Sequence, residues 1–551
     1  MLKRELANLN MNASGKIVKA GTDFEKKRIL EQVIPAQYTR NHNQRLCHIH
    51  DLEYYDSTYN CIGIRVQDLI GTEKMSFRKA LSKLHRGIVE LTNIQSGGIG
   101  FLNFDEDMQE YVCDETQEEL VEELNELFCD LNMFSRKGCE KAYVTFNFGL
   151  SFCENGRRVA KAMLDAYEKG DDTESPFTFP NLVFKMKSDI NIQEHAPNHD
   201  VFMKSLRLTS KRMVPTYFNC DSKANKNADP AKIGIMGCRT RVVDNLYGEK
   251  SGLNRGNICC VTLNLVQMAY ASVGDIQEFQ SRIRKEMDNA RNLLVHRFET
   301  LIKNGDFGEL IRMGVYKDSN SSNAELMLRN GTLSIGFIGL WDSIAVIYGQ
   351  QWNDIERMKK YGDVAYHLIS FMRKTTDRYT TETGYNFSLL ASAAEGVTGS
   401  FAEYDRENSG KNFEAANKGY YTNSFHIPVD LHCSYIDKID MEAPYHELCN
   451  GGSITYVELD EMPENNLEAM EEIVEHAYEK GCNYFGVNFS LDKCKDCGYT
   501  GKIVGRCPKC GGVRITRLRR VSGYLAETDK FTNGKKSELM DRVSNVYKSY
   551  E

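Results

Sequence analysis

Apolar residues recur at helical spacing in five long stretches: 77–93 ("FRKALSKLHRGIVELTN"), 108–134, 276–302, 355–372 and 467–479. In the second of these, Leu120, Val121, Leu124, Leu127 and Phe128 form one stripe on an otherwise acidic helix. Between the helical stretches lie short apolar runs: "YVTFNFGL" (143–150), "NLVFKM" (181–186), "CCVTLNL" (259–265), "SITYVEL" (453–459) and "YFGVNFS" (484–490). Runs this short, rich in aromatic and β-branched residues, predict buried strands. Helices alternating with such strands predict an α/β architecture with a largely parallel sheet.

Gly-rich turns punctuate the pattern at 95–101 ("QSGGIGF"), 252–257, 334–340 and 450–456. None is a Walker loop or a dinucleotide fingerprint. The chain has 551 residues, only 10 prolines and no low-complexity linker, which predicts one large body with small appendages. A net charge of -8 argues against a nucleic-acid scaffold. No 18-residue apolar run spans a membrane, and the first residues lack the apolar centre of a signal peptide; a cytoplasmic protein is expected. There, 17 cysteines need a role other than disulfides, and most are expected to be small buried hydrophobes.

Four are different. "CKDCGYTGKIVGRCPKC" places Cys494 and Cys497 in one CxxC and Cys507 and Cys510 in a second, nine residues further on. Each pair can curl two thiolates toward one ion, and four thiolates in a tetrahedron suit zinc. Four protein ligands leave no open coordination position, so the zinc is expected to be structural. A rubredoxin-like iron site and a redox dithiol are the competing readings.

Just downstream, "RRVSGYL" (519–525) holds Gly523 between Ser522 and Tyr524. A four-cysteine site, then Arg-Val-x-Gly-Tyr, then "FTNGKK" resembles the C-terminus of the anaerobic (class III) ribonucleotide reductases, a glycyl radical enzyme family. "HIHDLEYYDSTYNCIGI" (48–64), "QSGGIGFLNFD" (95–105), "TFNFG" (145–149), "FPNLVFK" (179–185), "IGIMGCRTRV" (233–242), "GNICCVTLNL" (256–265), "YYTNSFHIPV" (420–429) and "GGSITYVEL" (451–459) resemble that family's segments, in its order and over nearly the whole length.

The resemblance implies a fold, a chemistry and partners. The fold would be a ten-stranded α/β barrel of the glycyl radical enzyme type. Residues 1–490 would form the catalytic barrel, 491–515 the zinc ribbon, and 516–551 the glycyl radical loop and tail. Gly523 would carry the radical, and glycine suits the task because its Cα–H is open to close approach. Cys238 would be the thiyl relay that takes the ribose 3′ hydrogen, and Cys61, on the opposite face, would deliver hydrogen as the 2′-hydroxyl leaves. Asn257 would bind the ribose hydroxyls. Met236 matches a methionine of formate-using members, which favours formate as reductant and leaves a redoxin-coupled subtype open. His48, His50 and Asp51 would be structural rather than metal ligands.

Substrates would be ribonucleotides, as triphosphates, and the likeness implies a homodimer. The radical would be installed by a separate S-adenosylmethionine activase with an iron–sulfur cluster, because the CxxxCxxC motif of such enzymes is absent from this sequence. "HIHD" begins at residue 48, too early for a full N-terminal ATP-cone, so on/off control by ATP and dATP through that domain is not expected. The family's Thr-Pro-Ala-Glu segment reads "SAAE" (392–395) here, and phosphate binding at that turn is expected to differ. Two other readings stay open from the residues alone: another glycyl radical enzyme with a different small substrate, and a zinc-ribbon protein that binds nucleic acid.

Overall fold

The computed structural model describes residues 10–305, 307, 312–316, 323–408, 413–521 and 523–546. Its strands in chain order are β1 (Cys47–Ile49), β2 (Ile62–Ile64), β3 (Ile99–Phe101), β4 (Val144–Phe148), β5 (Asn181–Met186), β6 (Thr216–Asn219), β7 (Asn257–Asn264), β8 (Thr332–Ile338), β9 (Asn386–Ala391), β10 (Thr455–Glu458), β11 (Tyr484–Asn488), β12 (Leu491–Cys494), β13 (Thr500–Gly501), β14 (Ile515–Arg520) and β15 (Leu525–Glu527).

Strands β2 to β6 lie side by side and parallel; β11 adds to β6 antiparallel, and β10 pairs parallel with β11. A second sheet has the order β1-β7-β8-β9, parallel from β7 to β9, with β1 antiparallel on its edge. The ten strands from β2 to β11 therefore form two parallel sets of opposite sense. Continuous ladders do not close the expected barrel. Single bridges, Gly63 to Arg255 and Leu390 to Gly452, join the edges of the two sheets. At the second seam a passing loop takes up the backbone groups: Arg241 N–H donates to Gly451 O at 3.0 Å, and Gly451 N–H to Leu389 O at 2.8 Å.

The strands are buried on both faces, with different contents on each. On β4 and β5, Val144, Phe146, Phe148, Leu182, Phe184 and Met186 join the main apolar core. The alternate residues Thr145, Asn147, Asn181 and Lys185 point to the other side, as a period of two requires, and are buried polar groups. Such groups need partners, and most of them bind a loop inside the sheets.

Three expected helices form nearly as read: Phe77–Ile94, Ile276–Asn304 and Leu467–Glu479. In the first, Phe77, Ala80, Leu81, Leu84, Ile88 and Leu91 form the buried stripe, and truncating Leu84 to alanine should cost about 2–5 kcal/mol. Of the acidic stretch 108–134, Met108 closes a short helix, Phe104–Met108, and Gln117–Leu131 forms a second. Thr116 starts the second with a capping box, its Oγ1 accepting from Glu119 N–H and Glu119 accepting from Thr116 N–H. The stretch 355–372 also divides, into Ile355–Lys359 and Gly362–Thr383. Among the described residues no helix is long and apolar enough to cross a membrane.

Candidate active site

The loop 233–240 enters the space framed by the strands, and inward polar side chains hold its backbone. Asn147 Nδ2 donates to Phe101 O and Ile235 O, both at 2.9 Å, while its Oδ1 accepts from Ile235 N–H at 2.8 Å. Thr145 Oγ1 and Asn181 Nδ2 donate to Gly237 O at 3.1 and 3.3 Å. Met236 N–H donates to Thr240 O and closes the loop, with Gly237 in the left-handed region at its tip (φ 65°).

The "QSGGIGF" glycines make room for this loop. A Cβ on Gly98 would stand 2.8 Å from Gly237 Cα, and one on Gly100 2.8 Å from Ile235 O. The sequence showed these glycines as a turn; their work is close backbone approach, which only the tertiary partner reveals.

Cys238 follows at the loop tip. Its thiol is pushed up by burial, Arg239 opposes that shift, and Tyr143 shares a hydrogen bond with it. The Arg239 guanidinium is almost fully buried; Nη1 lies 3.3 Å from Ala391 O and Ser392 O, while Nε and Nη2 have no partner among the described residues. This partly satisfied guanidinium lies beside the "SAAE" turn, and no local pattern in the sequence marks it.

Gly523 meets Cys238 from the other side. A Cβ there would stand 1.7 Å from Cys238 O and 2.5 Å from Cys238 Cα, so any side chain collides with backbone. Gly523 sits at the tip of a hairpin made by β14 and β15, where Arg520 faces Leu525 and Val521 N–H donates to Tyr524 O at 3.0 Å. Ser522 lies outside the described residues. The buried Arg520 side chain anchors the tip, donating to Gly523 O and Val487 O, both at 3.3 Å, and to Met213 O. Tyr524 donates to Glu395 Oε2 at 2.7 Å and packs with Tyr143 and Phe179, at ring distances of 5.3 and 5.8 Å.

Cys61 reaches the same region through Gly98, the glycine packed against Gly237. Its sulfur accepts from Gly98 N–H at 3.3 Å, and burial pushes the thiol up to about 12. Met236 is two residues from Cys238 in sequence, yet it packs with Cys61, Leu102 and Val242 in one small apolar cluster. The thioether is thus grouped with the second thiol. Asn257 opens β7. Its Nδ2 donates to Ser334 Oγ at 2.6 Å and to Thr332, and its carbonyl accepts from Cys61 N–H at 3.0 Å. The asparagine therefore fixes the backbone that carries Cys61. The His48 ring lies 4.8 Å from that of His50 and 5.4 Å from that of the buried His42, and desolvation holds all three below the usual imidazole range.

The four C-terminal cysteines form the metal-type cluster found among the described residues, with all four sulfurs within 4.8 Å of one another. Cys494 and Cys510 are 3.6 Å apart, as are Cys497 and Cys507. A zinc tetrathiolate with bonds near 2.3 Å needs sulfur separations of about 3.8 Å, so the set fits. Gly498 and Gly511, both at φ 74°, complete the knuckles, their N–H groups donating to Cys494 O and Cys507 O. The small sheet β13-β12-β14-β15 joins this cluster to the Gly523 hairpin through one shared strand, β14. Arg519 reinforces the joint, donating to Asp492 at 2.6 Å and Ser490 at 2.9 Å.

A family model described as anaerobic ribonucleoside-triphosphate reductase matches residues 5–544. The anaerobic ribonucleoside-triphosphate reductase of Salmonella typhimurium is 28% identical over an alignment of 603 residues, covering 98% of this chain and 83% of the relative. The enzyme of that name from Enterobacteria phage T4 is 26% identical, covering 98% and 97%. In fold, the anaerobic ribonucleotide reductase from Thermotoga maritima, crystallised with dATP and CTP, superposes with a TM-score of 0.74 at 18% identity, covering 96% of this chain and 92% of that one. The B12-independent glycerol dehydratase from Clostridium butyricum also shares the fold, with a TM-score of 0.58 at 12% identity, covering 97% and 73%.

Proposed function

Because the chain belongs to the anaerobic ribonucleoside-triphosphate reductase family, we propose that it reduces ribonucleoside triphosphates to deoxyribonucleotides by a radical stored on Gly523 and used through Cys238. The observation that carries this reading is the seating of Gly523 against the Cys238 backbone, closer than any other residue type would allow.

The chemistry follows from these positions. A Gly523 Cα radical takes the hydrogen atom of the Cys238 thiol, and the resulting thiyl takes the 3′ hydrogen of the ribose. The 2′-hydroxyl then leaves as water, with a proton supplied from the Cys61 side. Reduction at C2′ needs two electrons, and oxidation of formate to carbon dioxide supplies them; ribonucleotide, formate and one proton become deoxyribonucleotide, carbon dioxide and water. Cys238 finally returns the 3′ hydrogen. Met236, packed with Cys61, is the soft group beside the thiol through which formate would act. Asn257 holds Cys61 in place and offers the ribose side a polar edge.

Zinc bound by Cys494, Cys497, Cys507 and Cys510 would lock the small sheet and so the hairpin tip. The radical would come from a separate S-adenosylmethionine activase with an iron–sulfur cluster, and the active assembly would be a cytoplasmic homodimer. The test is anaerobic activation followed by electron paramagnetic resonance. A glycyl radical keeps one Cα hydrogen, so a doublet is expected, collapsing when glycine is deuterated at Cα. Activated protein that shows this doublet, yet forms no deoxyribonucleotide from any ribonucleoside triphosphate with formate, would sink the assignment of substrate.

A further inference from the structure

Asp51 ends the "HIHD" segment in left-handed backbone (φ 48°), a conformation that aspartate tolerates better than most residues. Arg297, on the helix Ile276–Asn304, pins the segment by donating to His50 O at 2.7 Å and Asp51 O at 3.2 Å. So placed, Asp51 Oδ2 accepts from Asn60 Nδ2 at 2.5 Å and from Ser96 Oγ at 3.2 Å. The other end of the same amide, Asn60 Oδ1, touches Cys61 Sγ. Gly97 roofs this pair: a Cβ there would stand 2.7 Å from both Asn60 Oδ1 and Cys61 Sγ.

Hydrogen bonding, rather than shape, decides which way an asparagine amide faces. A carboxylate only accepts, so Asp51 takes the NH₂ end of Asn60 and leaves the carbonyl end for the sulfur. A carbonyl oxygen can be satisfied there only by an S–H. A thiolate would meet a lone pair, with a carboxylate behind it.

We propose that Asp51 is a positioning residue that, by orienting the Asn60 amide, keeps Cys61 as a neutral thiol with its hydrogen in place. This rests on the reading of Cys61 as the hydrogen donor: a donor that had already lost its proton to solvent would have nothing to give. The titratable groups set against Cys61 are Asp51, Cys238 and Tyr59; the Thr240 hydroxyl and the apolar Met236, Leu102 and Val242 complete its surroundings. Burial is the largest influence raising the thiol, the Gly98 N–H opposes it, and Cys238 and Asp51 both add to it.

The test uses unactivated, zinc-loaded protein in a Cys238→Ala background, with alkylation at Cys61 followed by peptide mass spectrometry across pH. Asp51→Asn removes the charge and frees Asn60 to turn its NH₂ toward the sulfur, and both changes favour thiolate. Alkylation at fixed pH should rise about tenfold or more, the effect of one pKa unit. A folded Asp51→Asn protein with unchanged alkylation overturns the proposal. Should that variant not fold, the native protein still decides: its Cys61 S–H infrared band, assigned by difference from Cys61→Ser, should persist at pH 9, where an ordinary cysteine of pKa about 8.5 is mostly thiolate. Loss of the band by pH 8 overturns the proposal. Full reductase activity in Cys61→Ala would instead remove Cys61 as donor, a failure the thiol titration would not register.

Discussion

Gly523 and Cys238 share one volume of space: the position that a Cβ of residue 523 would fill lies 1.7 Å from the carbonyl oxygen of Cys238. The obstructing atoms are backbone, Cys238 O, C and Cα, so no larger residue can stand in for the glycine.

Gly523→Ala should therefore lose more than the radical site. The obstruction is backbone, which a rotamer change cannot clear, and overpacking of this kind costs about 1–3 kcal/mol. The hairpin tip should lift away and become sensitive to protease near residues 519–527, with no glycyl doublet after activation. A protected tip in the alanine variant would mean that the loop is not seated as described.

The two thiols should fail differently. Cys238→Ala should keep the Gly523 radical and exchange no ribose 3′ hydrogen. Cys61→Ala should permit abstraction at 3′ and then stall, releasing base or degraded sugar. Tritium at the 3′ position distinguishes them; deoxyribonucleotide from Cys238→Ala would end the thiyl assignment.

Removing one zinc ligand should be felt at the hairpin. Cys494→Ser leaves three thiolates, which bind zinc more weakly than four, and β14 carries the disturbance from the cluster toward Gly523. Zinc content and radical yield should fall together. A metal-free variant with full radical yield would show that the hairpin needs no brace.

The C-terminal helix Asn533–Asp541 should loosen in acid. Glu538 is buried; burial alone would raise its pKa, but Lys535 and Arg542 outweigh that and hold it down at about 2. With a folded value below the unfolded value of about 4.3, the carboxylate stabilises the fold above pH 4.3, and that contribution is lost as pH falls toward 2. Hydrogen exchange in this helix should rise across that window. Glu538→Gln leaves buried Lys535 without its ion-pair partner, while Arg542 keeps Glu458 at 3.7 Å, and should cost about 3–5 kcal/mol at neutral pH. Acid-independent exchange in the native protein would contradict the pairing.

The sequence made some of this legible and hid the rest for physical reasons. Strand β5 was readable to the residue because "NLVFKM" is a short buried run, and the metal clip because its spacing is itself geometry. The start at Thr116 is written locally, as a Thr-x-x-Glu capping box, which the apolar stripe running past it masks. Arg239 and Glu395 show their partners only in three dimensions: a buried guanidinium with Nε and Nη2 unpartnered among the described residues, or the bond from Tyr524 to Glu395, 129 positions away, exists only once the strands frame the loop. Asn257 was visible as a residue, but its grip on the Cys61 backbone was not. The barrel seams were hidden too, since no pattern of apolar residues distinguishes a ladder from a single bridge.

The hairpin that carries Gly523 also works as a depth gauge. Each strand residue advances the chain by about 3.3 Å, whereas a single added Cβ at residue 523 would already stand 1.7 Å from Cys238 O. Inserting or deleting one residue between 515 and 520 would therefore drive the tip into the opposing loop or leave it a full step short. It would also turn every side chain of that arm to the wrong face. Length in this arm is thus under tighter constraint than identity: conservative substitutions at its surface positions can be absorbed, but a single-codon insertion or deletion cannot.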